Sequence, residues 1–92
     1  MSYRVELSRQ AKKAFLALPK RERRLAGRRL QALEETPHPP GTRALAQKLK
    51  GYYRLRVGGY RILYAVDEAA QLVRVMHIGP RHSVYDDFQR GL

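Results

Sequence analysis

The sequence contains no cysteine and no tryptophan, and only eight of its 92 residues are acidic. Without cysteine, neither a disulfide framework nor a thiolate metal site can form. The three histidines, His38, His77 and His82, stand at no ligand-like spacing, so no metal site is expected. Uninterrupted apolar stretches fall far short of the roughly 20 residues that span a bilayer, and no charged-then-apolar leader opens the chain. These absences set the expectation of a cytoplasmic protein with no membrane partner, metal or small-molecule cofactor.

What the chain has in excess is positive charge. Nineteen Lys and Arg, fourteen of them Arg, give a formal net charge of +11. A field of that sign speeds encounters with polyanions and penalises cationic partners. Nucleic acid, a ribosome or a markedly acidic protein fit it. The length predicts one domain over residues 1–92, and a chain this short buries only about 60–65% of its unfolded surface. A partner that covers apolar surface would add to its stability.

The order of elements can be read from periodicity. Tyr3, Val5 and Leu7 alternate with Arg4 and Glu6, which predicts an opening strand. Ser8 can cap a helix whose apolar face is Ala11, Ala14, Phe15 and Leu18. Pro19 ends that helix and starts a second, running to about Glu35, with Leu25, Ala26, Leu30 and Leu33 inward and Arg21, Arg23, Arg24, Arg28 and Arg29 outward. Three prolines and a glycine make 36–41 a loop, and 44–50 one helical turn. Runs 52–57 and 60–66 flank Gly58-Gly59, a two-residue hairpin signal. A third strand, 72–78, ends at Gly79-Pro80, and a short tail follows. The expected fold is α+β in two layers: a small antiparallel sheet against a helical hairpin, in β-α-α-β-β-β order.

The hairpin locates the chemistry. A two-residue turn sets Val57 opposite Tyr60, Arg56 opposite Arg61, Leu55 opposite Ile62, Arg54 opposite Leu63 and Tyr53 opposite Tyr64. One face then collects Tyr53, Leu55, Val57, Tyr60, Ile62, Tyr64 and Val66, the side that packs under the helices. The other collects Arg54, Arg56 and Arg61. Guanidiniums directly opposite one another repel, an arrangement best tolerated where an anion such as phosphate comes to sit.

Beyond the last strand, Arg81 is a permanent cation, His82 titrates near neutrality, and Tyr85 can stack on a base or carry a proton. RNA brings its own nucleophile, the 2′-hydroxyl. Cleavage then needs a base for that hydroxyl, cations for the phosphorane charge and a proton for the leaving oxygen, and no metal.

The run Leu49-Lys50-Gly51-Tyr52-Tyr53-Arg54-Leu55-Arg56-Val57-Gly58-Gly59-Tyr60-Arg61-Ile62-Leu63-Tyr64, followed by Val75-Met76-His77-Ile78-Gly79-Pro80-Arg81-His82-Ser83-Val84-Tyr85, resembles the RelE/ParE toxin superfamily. The likeness spans nearly the whole chain, including element order and length. It implies a cytoplasmic toxin of a type II toxin–antitoxin system, held silent by a cognate acidic antitoxin. In the RelE branch it implies a metal-independent endoribonuclease that cleaves mRNA in the ribosomal A site by 2′-hydroxyl attack. Carried over by position, the strand cations fall on Arg54 and Arg56, the phosphate-stabilising arginine on Arg61, and the tail pair on Arg81 and Tyr85. Some members have lysine where this chain has Arg54 and Arg56. Arginine cannot give up its proton, so the base is expected at Tyr85 or His82, with Lys50 third. Two alternatives share the scaffold: a ParE-like toxin that inhibits DNA gyrase by binding, and a non-catalytic RNA-binding module.

Overall fold

The computed structural model describes residues 2–80. Strand β1 (Arg4–Leu7) leads into helix α1 (Arg9–Ala17) and helix α2 (Lys20–Ala32). Strands β2 (Arg43–Ala44), β3 (Tyr53–Val57), β4 (Tyr60–Asp67) and β5 (Leu72–Pro80) follow, with a 3₁₀ turn at Gln47–Leu49 between β2 and β3. Ser8 caps α1: its hydroxyl accepts from the Ala11 amide at 3.1 Å and donates to the Met76 carbonyl at 2.7 Å. One side chain thus starts the helix and ties it to β5. At the corner, Leu18 and Pro19 are extended, closing α1 and opening α2 as the proline predicts.

The five strands form one sheet in the order β1-β5-β4-β3-β2. The expected helices, hairpin and order are present, but the sheet is mixed. β1 pairs parallel with β5, Val5 opposite Val73 and Leu7 opposite Val75. The two helices between the first strand and the rest form a crossover long enough to return the chain in a parallel sense. Two further details differ from the sequence reading. The segment after the proline loop contributes an edge strand of two residues, and the turn before β3 is 3₁₀.

One face of the sheet carries the core. Leu55, Val57, Ile62, Tyr64, Val73, Val75 and Ile78 pack against Ala11, Leu18, Ala26, Leu30 and Leu33 of the helical layer. Tyr64 is fully buried, and its hydroxyl donates to the Pro37 carbonyl at 2.8 Å and lies 3.2 Å from the Thr42 hydroxyl. That pair of contacts pins the proline loop to the sheet. A smaller cluster of Leu49, Leu63, Leu45, Tyr52 and Met76 lies apart from this core.

The alternation along β5 is broken once. Tyr64 pairs with Val75 but Leu63 pairs with His77, so Met76 is an extra residue, a β-bulge. Without it, a strand with Val73 and Val75 inward would also turn residue 77 inward. With it, Ile78 joins the core and His77 stands opposite Leu63.

Candidate nucleic-acid interface

The register of β3 and β4 is the one the glycine turn dictates: Arg56 opposite Arg61, Arg54 opposite Leu63, Tyr53 opposite Tyr64. Gly58 has a φ of 58°, left-handed, while Gly59 does not, the φ pattern of a turn that demands glycine only at its first central position. The sheet face away from the core therefore presents Arg54, Arg56 and Arg61 together.

β2 extends this face. Arg43 pairs with Arg54, which places it in the same row. Read across the strands, one row is Arg43, Arg54, Leu63 and His77, and the next is Arg56, Arg61 and Gly79. Neither row contains an Asp or Glu. Two pairs of like charges stand directly opposite, an arrangement that destabilises a sheet unless something anionic sits over it. Arg43 and Arg56 are exposed, Arg54 is half-buried, and Arg61 is 5% exposed with a guanidinium nitrogen 3.4 Å from the Tyr60 carbonyl. The Nε of Arg54 is buried and has no hydrogen-bond partner among the described residues. A donor left so is costly, and an incoming phosphate oxygen would satisfy it.

Lys50 is exposed and closes the 3₁₀ turn just before β3, outside these two rows. Arg81, His82 and Tyr85 lie outside the described residues. Sequence reasoning missed Arg43, since a two-residue strand after a proline loop offers no alternation to read. It also placed no role on His77, 8% exposed, because nothing in the residues announces a bulge. Among the described residues, no three of His, Asp and Glu are grouped as a metal ion requires, and no helix is long and apolar enough to cross a membrane.

A second basic surface lies on the helical layer. α2 carries Lys20, Arg21, Arg23, Arg24, Arg28 and Arg29 against Glu22. Lys20, Arg21, Arg24 and Arg28 rim a shallow cavity of about 450 Å³ that also touches Leu25. The two basic surfaces belong to opposite layers of the fold.

Comparison with known proteins agrees with this architecture. The ParE toxin family of type II toxin–antitoxin systems, parDE, matches residues 5–85. The archaeal RelE of a RelE–RelB complex from Pyrococcus horikoshii OT3 is 31% identical, with 89% of this chain and 98% of that one covered and a TM-score of 0.78. The toxin RelE of Escherichia coli shares the fold at 23% identity, with a TM-score of 0.76 over 100% of this chain and 99% of that one. A YoeB/ParE toxin from Agrobacterium tumefaciens shares it at 16% identity, with a TM-score of 0.74 over 84% and 96%. No curated protein sequence matches.

Proposed function

This chain belongs to the ParE toxin family of type II toxin–antitoxin systems, within the RelE/ParE superfamily, and we propose that it is an endoribonuclease that cleaves mRNA in the ribosomal A site. The observation that carries this reading is the pair of arginine rows on the sheet face away from the core, Arg43 with Arg54 and Arg56 with Arg61. Residues two apart on a strand are spaced about 6.6 Å, close to the separation of successive phosphates along an RNA strand. Arg56 and Arg61 would hold the scissile phosphate and stabilise its transition-state charge, while Arg43 and Arg54 hold the next. Arg81, Tyr85 and His82, which the resemblance assigns to the site, would add a further cation and carry protons. The cognate antitoxin is an acidic protein, as the charge of +11 favours; the Pyrococcus relative was crystallised with its RelB.

A second reading has one observation behind it: the matching family is that of ParE. In that reading the chain binds DNA gyrase and cuts nothing. A reconstituted translation reaction separates the two. RNA ends that appear only when ribosomes are present establish the nuclease. Intact mRNA together with failure of gyrase to supercoil plasmid establishes the other.

A further inference from the structure

A basic face alone does not complete the proposed reaction. The 2′-hydroxyl must lose a proton as it attacks, and arginine does not accept one at any ordinary pH. The other titratable groups that approach this face differ in kind. From β4 comes Arg61, from β3 Arg54 and Arg56, from β2 Arg43. The 3₁₀ turn that packs on Leu63 through Leu49 carries Lys48 and Lys50, and Tyr52 adjoins it. β1 brings Glu6, opposite Arg74 of β5 and paired with Arg4 at 3.2 Å. Lys48, Lys50 and Tyr52 precede β3 and stand outside the two rows, and Glu6 lies on the far edge strand, engaged with a cation. Two described histidines remain. His38 lies against Tyr53, on the core side of the sheet, and 3.8 Å from Glu68, which leaves on this face one group with a reference value near neutrality, the imidazole of His77.

Its position is the work of the bulge. Met76 shifts the alternation by one residue, so residue 77 stands in the row of Arg43, Arg54 and Leu63 rather than under the helices. His77 faces Leu63, and Arg61 faces Gly79, one step further along the same two strands. Imidazole and guanidinium are thus diagonal neighbours, within reach of one phosphodiester. Both are nearly enclosed, Arg61 at 5% exposure and His77 at 8%. Bulges recur beside active sites because they re-aim a side chain in this way.

We propose that His77 is the general base of this enzyme, turned into the arginine face by the Met76 bulge. The inference rests on the nuclease reading. Neutral His77 takes the 2′ proton as the O2′–P bond forms and the P–O5′ bond breaks. The products are a 2′,3′-cyclic phosphate and a 5′-hydroxyl, whose proton comes from water, and solvent recovers the proton from the imidazolium. Arg61, one step away, takes up the charge that accumulates on the phosphorane oxygens.

The test is single-turnover cleavage on mRNA-programmed ribosomes, with toxin in excess, followed against pH. For the wild type, log rate should rise with unit slope and level off at the pH where the His77 ring proton signal titrates by NMR. His77→Gln keeps a hydrogen-bonding side chain, and should lower the plateau by ~10²–10⁴-fold and abolish the slope. Its thermal midpoint is measured alongside. Should that variant not fold, coincidence of the kinetic and NMR midpoints in the wild type decides the matter. Cleavage by folded His77→Gln at the wild-type rate and pH dependence, or two midpoints that differ, overturns the proposal and leaves the nuclease intact. A wild type that cuts no RNA on ribosomes overturns the nuclease reading itself, and the assignment of His77 with it.

Discussion

Arg56 and Arg61 face each other in the ladder but differ in depth, and the difference decides how each can be tested. Arg61 is enclosed, so replacing it disturbs packing as well as charge. Arg56 is exposed. Arg56→Glu turns a repulsive cross-strand pair into an attractive one, worth ~0.2–1 kcal/mol. Stability is expected to hold or rise, at most by several degrees in Tm, while ribosome-dependent cleavage falls at least ~10²-fold. Lost stability with retained cleavage would reverse the assignment. Tyr64 permits a second test at this scale. Burial pushes its phenol above the ordinary tyrosine value, the Thr42 hydroxyl draws it partly back, and neighbouring Tyr53 raises it again. The folded state therefore prefers the protonated ring. That contribution is complete below about pH 10, the unfolded value, and is lost as pH climbs from there through the folded value. Urea unfolding from pH 8 to 11 should show a steep alkaline loss that Tyr64→Phe makes shallower, alongside a cost of ~0.5–1.5 kcal/mol at neutral pH for the hydrogen bonds removed.

The elements explain what could be read in advance. Arg54, Arg56 and Arg61 could be assigned to one face because a two-glycine turn allows a single register, and alternation does the rest. Ser8 and Pro19 marked the helix ends because each has a fixed role in backbone geometry. Arg43 and His77 escaped for the opposite reason. A strand of two residues has no period, and a bulge cancels the period that would have placed His77 in the core. The parallel partner of β1 escaped as well, since pairing across the sheet leaves no local trace in sequence. The turn itself is open to experiment. Gly58 has the positive φ, and a methyl group there meets only Glu22 atoms at 3.9 Å, so the penalty for alanine is conformational, ~1–2 kcal/mol. Gly59 lacks the positive φ and has nothing within 4 Å, so Gly59→Ala should be near neutral. Equal shifts in the urea midpoint for the two variants would contradict this turn geometry.

At the scale of the whole molecule, charge is split between two surfaces, the arginine rows of the sheet and the α2 face of the helical layer. On α2, Lys20 and Arg24, and again Arg24 and Arg28, are four residues apart and repel. An acidic antitoxin relieves that repulsion from a distance before it makes contact. Its association rate is expected to fall steeply from low to high salt, whereas the dissociation rate, governed by packed contacts, changes less. Stopped-flow mixing at several ionic strengths measures both, and a flat association rate would exclude steering.

The parallel pairing of β1 with β5 also carries a consequence for synthesis. Arg4–Leu7 leave the ribosome before the other strands, yet their partner is 72–75. At a synthesis rate of ~5–20 residues per second, β1 waits roughly 3–14 s for the strand it lies beside. The hairpin of β3 and β4 can form earlier from neighbouring residues, but β5 supplies His77 and joins the first strand to the rest. The sheet is therefore incomplete until β5 has been made. Protease digestion of chains stalled at successive lengths should find protection of residues 4–7 only after residue 75 has emerged. On the proposed nuclease reading, the order in which the strands appear spares the ribosome that makes the protein.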